Sequence, residues 1–225
     1  MKSRLLAPLA VLALFAGLPA LSPAQSLSAS SSSRLLDFFP SNPDPNSLST
    51  FTFSGNNQRG LLFFDLTGQP SGPVANATLR LNGRPFQGGT STTTVNANPL
   101  TRALVSSQAT WLSASSGNPW TTAGGDFNNA LNASVTFAQG PGWIELNVTN
   151  IVNAWLTGAQ TNHGFILRGV NGNEMVFHSH TGSIVSGATN VALAPQLNLT
   201  PIPEPMTMAV LALGAVAALR KKRKA

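Results

Sequence analysis

Short runs of alternating or apolar residues, separated by turn residues, recur along the middle of this chain. In residues 75–82 apolar and polar residues alternate strictly. Successive side chains of a strand point to opposite faces, so this pattern predicts one buried face and one hydrated face. Comparable runs lie at residues 61–66, 134–138, 143–148 and 191–199, with Gly, Pro or Asn residues between them. The spacing predicts an all-β fold, either a sandwich or a barrel.

One segment has helical rather than strand spacing. Thr149 precedes apolar residues whose spacing fits one face of a helix, namely Ile151, Val152, Trp155 and Leu156. Thr149 suits the N-cap of such a helix, and Gly158 suits a left-handed residue after its C-terminus. We therefore expect one short helix that buries Trp155. Asn171-Gly172, between two apolar runs, predicts a hairpin turn.

The N-terminal residues 1–24 have the composition of a secretory signal peptide. Lys2 and Arg4 precede an apolar stretch, and small residues surround Ala24. The stretch of about 14 apolar residues is shorter than the roughly 20 that a transmembrane helix needs. We therefore expect export by the Sec machinery and cleavage after Ala24. Residues 25–33 are rich in Ser and are predicted to be a flexible leader.

The C-terminal end has similar features in the opposite order. Pro203, Glu204 and Pro205 precede an uncharged run at residues 206–219. A basic cluster follows the run, consisting of Arg220, Lys221, Lys222, Arg223 and Lys224. Basic residues resist translocation, so this end is expected to stay in the cytoplasm. An ordinary tail anchor is one interpretation, but the run is short and rich in Ala, which favours a transient inner-membrane anchor.

Residues 201–225 contain an arrangement that resembles the PEP-CTERM sorting signal: a Pro-Glu-Pro triplet, a short apolar helix and a basic end. The resemblance implies recognition by an exosortase, a membrane-embedded cysteine transpeptidase. It implies cleavage near Pro203-Glu204-Pro205, followed by release or by transfer to a surface acceptor. It also implies a Gram-negative bacterium that makes extracellular polysaccharide.

The net charge of +6 comes from the two ends of the chain. Residues 25–200 contain six Arg, six acidic residues and no Lys. A neutral region without a basic stripe offers no electrostatic basis for binding nucleic acid, so we exclude that partner. The chain also has no Cys, which excludes disulfides, thiolate metal sites and a Cys nucleophile. Residues 34–200 are long enough for one domain with its own core.

Several phrases within residues 34–200 resemble DNRLRE-type domains, and they occur in that family's order. They are residues 61–66 (LLFFDL), 77–81 (ATLRL), 109–111 (ATW), 143–158 and 164–169 (GFILRG). The resemblance implies a jelly-roll-like antiparallel β-sandwich akin to carbohydrate-binding modules. With the short helix and the two end signals, this is the fold that we predict. One departure from the family is an altered and longer stretch at residues 113–129.

The sequence offers few groups for catalysis or for metal binding. A glycosidase needs two carboxylates at a set separation, but Asp65 and Glu145 both fit structural positions on strands. His178 and His180 are interpreted as exposed strand residues, because no third metal ligand is evident. We therefore predict no catalytic residue, no metal site and no cofactor. Calcium is the alternative, held by oxygen-rich turns at residues 42–46 or 171–174, although turn formation also explains those residues.

Alternation around Trp143 predicts a binding platform. Ile144, Leu146 and Val148 are expected to face the core, which turns Trp143 outward beside Glu145 and Asn147. An aromatic ring beside hydrogen-bonding groups suits the apolar face of a sugar. Arg80 or Arg168 would add donors if a neighbouring strand presents them. In the alternative, Trp143 covers the end of the sandwich or packs under the altered stretch near Trp120.

Together these patterns favour a non-enzymatic surface or matrix protein that binds or embeds in secreted polysaccharide. A purely structural surface or spacer domain is the first alternative. A secreted polysaccharide-degrading enzyme is the second.

Overall fold

The computed structural model of the protein describes residues 24–53, 56–69, 72–85, 92–138, 140–170, 174–184 and 189–202. The predicted sorting signal and all of the predicted signal peptide except Ala24 lie outside these ranges. Within them, no helix is both long enough and apolar enough to cross a membrane.

The described residues form fourteen strands, which confirms the predicted all-β class. The strands are β1 (Gln25–Ser28), β2 (Ser31–Leu36), β3 (Asp44–Pro45), β4 (Ser49–Phe53), β5 (Asn56–Phe63), β6 (Val74–Pro85), β7 (Thr92–Pro99), β8 (Ser113–Ser115), β9 (Asn118–Pro119), β10 (Ala133–Ala138), β11 (Gly142–Asn147), β12 (Phe165–Gly169), β13 (Met175–Phe177) and β14 (Gln196–Pro201). The helix α1 spans Thr149–Leu156, and a 3-10 helix spans Val191–Leu193.

Antiparallel pairing links twelve of these strands, nine of them in the order β1-β14-β6-β13-β4-β5-β12-β7-β10. Strand β11 lies beside β6, β2 lies beside β5, and β3 lies beside β2. Strand β4 joins two halves, because its first residues pair with β13 and its last residues pair with β5. We call the half with β1, β14, β6, β11 and β13 the first sheet. The half with β2, β3, β5, β12, β7 and β10 is the second sheet.

The main core lies between the two sheets. Leu79 and Leu81 of the first sheet and Phe165 and Leu167 of the second belong to the same buried cluster. From Ala77 to Leu81, alternation along β6 buries one face of the strand and leaves the other face polar, as the sequence predicts. Ala75, which the pattern places on the buried face, is exposed, and Val74 is buried instead. The buried apolar faces of two antiparallel sheets pack together to form the sandwich.

A second, smaller core lies on the outer side of the second sheet. Residues 100–131, which we call the covering segment, supply Leu100, Ala109, Ala114 and Trp120 to it, and the strands supply Leu35, Leu61 and Ile166. Leu61 and Ile166 alternate with residues of the main core, so they face away from it. The covering segment, which contains the altered stretch at residues 113–129, therefore covers the outer face of the second sheet.

Helix α1 forms close to where the sequence places it. Ile151, Val152 and Trp155 are buried, and the Trp155 ring lies 4.6 Å from that of Phe165, centroid to centroid. Gly158 follows with a φ of 75°, the left-handed conformation expected there.

The prediction of Thr149 as the N-cap is wrong by one residue. Val148 occupies that position, and no side chain caps the helix there. Thr149 is the first helical residue instead, and its hydroxyl oxygen accepts a hydrogen bond from the Ala77 amide at 2.9 Å.

One further prediction is wrong. Residues 25–33 are not a flexible leader, because β1 pairs with β14, β2 pairs with β5, and Ser33 is fully buried. Composition indicated disorder, but sheet pairing satisfies the backbone and small Ser side chains fit a packed interior. Residues 24–200 accordingly form one compact unit, which starts before the predicted residue 34. The hairpin turn predicted at Asn171-Gly172 lies outside the described residues. On either side of it, β12 pairs with β5 and β7, whereas β13 pairs with β4 and β6.

Candidate functional site

The first sheet brings most of the predicted platform residues together. Strands β6 and β11 pair so that Glu145 lies opposite Arg80 and Trp143 lies opposite Asn82. Leu146 is buried on the core side, so Trp143 and Glu145 stand on the outer face.

Contacts among these side chains order them. The Arg80 guanidinium carbon lies 4.6 Å from the centroid of the Trp143 ring, within range of a cation–π contact. Arg80 Nε donates to Glu145 Oε1 at 2.9 Å, and Arg80 Nη1 donates to Gln196 Oε1 at 3.1 Å. We call Trp143, Arg80, Glu145 and Gln196 the tryptophan platform. Its two charges pair with each other, so it has no net charge.

The second sheet holds a different arrangement, which the sequence did not reveal. Arg59 of β5 lies directly opposite Arg168 of β12, and the covering segment folds over them. The resulting cleft has a volume of about 450 Å³, and Arg59, Arg102, Thr121, Asp126, Phe127 and Asn129 are among its lining residues. We call this cleft, together with Arg168 behind Phe127, the arginine cleft.

Both guanidinium groups contact aromatic rings. The Arg59 guanidinium carbon lies 4.9 Å from the Trp111 centroid and 5.7 Å from that of Phe127. The Arg168 carbon lies 4.2 Å from the Phe127 centroid. Arg59 Nη1 donates to the Gly124 carbonyl at 2.8 Å, and Arg168 Nη2 donates to Asn98 Oδ1 at 2.8 Å. These contacts fix the orientation of the two planar groups.

The electrostatics of this pair are unfavourable. Burial and the neighbouring Arg168 lower the pKa of Arg59 from 12.5 to about 10, although Asp37 opposes the shift. Burial also lowers the pKa of Arg168. Neither arginine forms an ion pair with an acid in the part of the chain that the structure describes, and Arg168 Nε has no hydrogen-bond partner there. Two like charges on facing strands destabilise a sheet, which points to a functional role.

The opposite wall of the cleft carries no net charge, and hydrogen bonds hold its side chains in place. Arg102 Nε donates to Asp126 Oδ2 at 2.9 Å, and Asp126 also accepts from the amides of Thr121 and Thr122. Burial by itself would raise the pKa of Asp126, but the hydrogen bonds from Thr121, Thr122 and Arg102 outweigh it and lower the pKa. Asp126 is therefore charged and is already engaged by Arg102.

A family model covers most of this fold. Carbohydrate-binding module family 96 matches residues 45–189, which is more than half of the chain. The chain belongs to carbohydrate-binding module family 96. No curated protein matches it. The match confirms the expected carbohydrate-binding type of domain, and it spans every residue of both the tryptophan platform and the arginine cleft except Gln196.

In this family 96 domain, two residues predicted for the platform have other positions or contacts. Asn147 bonds to the first residue of α1, and Arg168 lies on the other sheet. Asn147 Oδ1 accepts hydrogen bonds from the amide and the hydroxyl of Thr149, at 3.1 and 2.7 Å, so it holds the start of α1. Arg168 stands on the second sheet and cannot reach Trp143 across the core. Trp120 is buried in the covering segment, which removes the alternative that Trp143 packs near it.

Gly124 is a residue whose type in the sequence is tied to the arginine cleft. Gly124 has a φ of 91°, and a Cβ there would lie 2.8 Å from the Trp111 ring and 2.9 Å from Arg59 Nη1. A side chain at this position would therefore push the covering segment off Arg59. The register that places Arg59 opposite Arg168 left no comparable signal, because β5 and β12 are about 100 residues apart in the chain.

The residues considered for metal binding make other contacts. The described residues contain no group of three or more His, Cys, Asp or Glu side chains that could hold a metal ion. Asp44 is bonded to Arg34 at 2.6 Å, and residues 171–173 lie outside the described ranges. The interpretation of His178 as exposed is wrong, because it is buried and its Nδ1 lies 2.8 Å from the Gly182 carbonyl oxygen.

Proposed function

We propose that this chain is an exported surface or matrix protein that is sorted by an exosortase and whose family 96 domain holds acidic exopolysaccharide in the arginine cleft. The signal peptide ending at Ala24, the Pro203-Glu204-Pro205 triplet and the terminal basic cluster support export and sorting. The family match supports binding of carbohydrate. The arginine cleft supports the choice of an acidic chain.

The observation that carries this proposal is the pairing of Arg59 with Arg168 without an acidic partner. A carboxylate accepts two parallel hydrogen bonds from a guanidinium group, and such bonds are stronger than neutral ones. A sugar carboxylate bound to Arg59 in the cleft would also offset the repulsion between Arg59 and Arg168. Phe127 and Trp111 would keep water away from these contacts, which strengthens them further.

If the domain were a purely structural spacer, the pairing of Arg59 with Arg168 without an acidic partner would have no explanation. Two partly buried charges of the same sign lower stability, and natural domains keep such conflicts mainly at functional sites. Arg34, Arg80 and Arg102 each have an acid within 2.9 Å, so the fold supplies partners elsewhere.

The test uses the producing cells' own exopolysaccharide in two forms, native and with its carboxyl groups chemically reduced to alcohols. We expect Arg59→Gln to lower the affinity of the purified protein for the native polymer about tenfold, the loss of one charge-assisted contact. The same substitution should not change the affinity for the reduced polymer. Arg34→Gln is the control, because Arg34 is paired with Asp44 and lies outside the cleft lining, and it should leave the affinity for the native polymer unchanged.

Equal effects of Arg59→Gln on both polymer forms would refute carboxylate recognition, and so would no effect on either. Polymer length is followed in the same samples. Shortening by the wild-type protein would show an enzyme rather than a binding module.

A further inference from the structure

We infer that the first sheet carries a second glycan site, specific for uncharged sugar residues, so that one domain bridges two polysaccharide strands. The inference rests on the proposed function only for the strand held in the arginine cleft. The second site consists of the tryptophan platform and an amide-lined pocket beside it, at the edge of the first sheet.

The pocket lies where β6, β11 and α1 meet the start of β10 of the second sheet. Its volume is about 360 Å³, and its lining includes Asn76, Asn132, Asn147, Thr149 and Asn150. Amide side chains both donate and accept hydrogen bonds, as a sugar hydroxyl does. Asn76 and Asn147 Oδ1 already bond to Thr149, so Asn132, Asn150 and the Asn147 amide nitrogen are the groups that would meet a ligand. No lining residue of this pocket carries a charge. Its chemistry therefore suits hydroxyl groups rather than carboxylates.

The pocket and the platform are continuous along β11. Trp143, Glu145 and Asn147 are alternate residues of one strand and share its outer face. At roughly 3.4 Å per residue, the distance from Trp143 to Asn147 along the strand is about 14 Å. One extended sugar chain lying along β11 would contact the ring at one end and the amides at the other.

Charge separates this site from the arginine cleft. Arg80 is paired with Glu145, whose side chain is 58% exposed, so an incoming carboxylate would meet an acid as well as a base. An uncharged sugar meets no such repulsion and can stack its apolar face on the Trp143 ring. Vicinal hydroxyls can then bond to Glu145 and Gln196. The guanidinium against the ring holds it in place before the ligand arrives.

The two sites face away from each other. Arg59 and Arg168 lie on the outer face of the second sheet, and Trp143 lies on the outer face of the first. The core between them includes Leu79, Leu81 and Phe165. Packed sheets are about 10 Å apart, so ligands on the two outer faces do not meet. A domain occupied on both faces would connect separate polymer strands into a network.

The experiment uses the protein purified from the producing cells and beads that carry the carboxyl-reduced exopolysaccharide. Wild-type protein should bind these beads and then capture soluble, fluorescently labelled native polymer. Trp143→Ala should lower retention on the beads about tenfold, the loss of one stacked ring. Trp143→Phe, the matched control, should retain it. Asn150→Phe fills the pocket from an exposed helix position and should also lower retention, in case Trp143→Ala does not fold.

The outcomes separate the two sites. Arg59→Gln protein should still bind the beads but capture the labelled polymer about tenfold more weakly. If it captures as wild type does, the proposed acidic ligand is wrong while the second site stands. If Trp143→Ala and Asn150→Phe proteins are both retained like wild type, the second site is wrong. If wild-type protein on the beads captures no labelled polymer, bridging is wrong.

Discussion

At the scale of single residues, charge and burial distinguish arginines suited to binding a ligand from arginines that are paired with an acid. Arg59 and Arg168 are both desolvated and lie opposite each other, whereas Arg80 and Arg102 have acidic partners. An apolar residue at position 59 would avoid the desolvation that lowers the pKa of this arginine to about 10. The fold keeps a costly charge beside two aromatic rings, which is the pattern expected of a ligand contact.

Glu174 is a second residue whose charge is costly. Burial raises its pKa, although a hydrogen bond with Gln58 and the charge of Arg34 oppose the shift. Because the folded-state pKa lies above the unfolded value, the folded state gains protons, so stability falls as pH rises through the folded pKa. We expect Glu174→Gln to raise the melting temperature at pH 7 by about one to two degrees, because solvent screens part of the effect at this half-exposed position.

Below the ordinary Glu pKa of 4.5 the two proteins should melt together, since wild-type Glu174 is then protonated in both states. Thermal unfolding followed by circular dichroism between pH 3.5 and pH 8 checks this. A lower melting temperature for Glu174→Gln at pH 7 would show that its charge stabilises the fold.

At the scale of elements, helix α1 packs the ring of Trp155 against the sandwich. Trp155 is 7% exposed and contacts Phe165 of β12. Trp155→Ala should cost about 3–5 kcal/mol of unfolding free energy, because it removes a large side chain and leaves a cavity. Urea denaturation measures the change. Asn150→Ala, at an exposed position of the same helix, should change stability by less than about 0.5 kcal/mol.

An unchanged denaturation midpoint for Trp155→Ala would show that α1 does not contribute to the core as described. Equal losses for Trp155→Ala and Asn150→Ala would instead indicate that helix formation, rather than packing of the Trp155 ring, limits stability.

At the scale of the whole molecule, both ends of the folded unit meet at one edge of the first sheet. Gln25, the first residue after the predicted cleavage site, pairs with Leu199 of β14. The predicted sorting triplet at residues 203–205 follows that strand closely. If sorting proceeds as proposed, removal of the tail leaves the domain connected to its acceptor through β14.

Cells that lack the exosortase should accumulate an unprocessed form of this chain. It should keep residues 220–224 and fractionate with the inner membrane, because the apolar run is short and ends in a basic cluster. Mass spectrometry of the C-terminus in each membrane fraction gives the result. An intact C-terminus on the outer surface of wild-type cells would exclude processing.

The sequence by itself determined the strand class, the helix around Trp155 and the outward direction of Trp143. Each of these depends on periodicity within one segment, which is a local property. Tertiary structure decided the rest. Residues 25–33 became strands because β14 and β5 lie beside them, and Arg59 meets Arg168 only through the register of β5 with β12. The arginine cleft also needs the covering segment to fold back over the second sheet. Pairing between distant segments is set by the packing of whole faces, which no local pattern encodes.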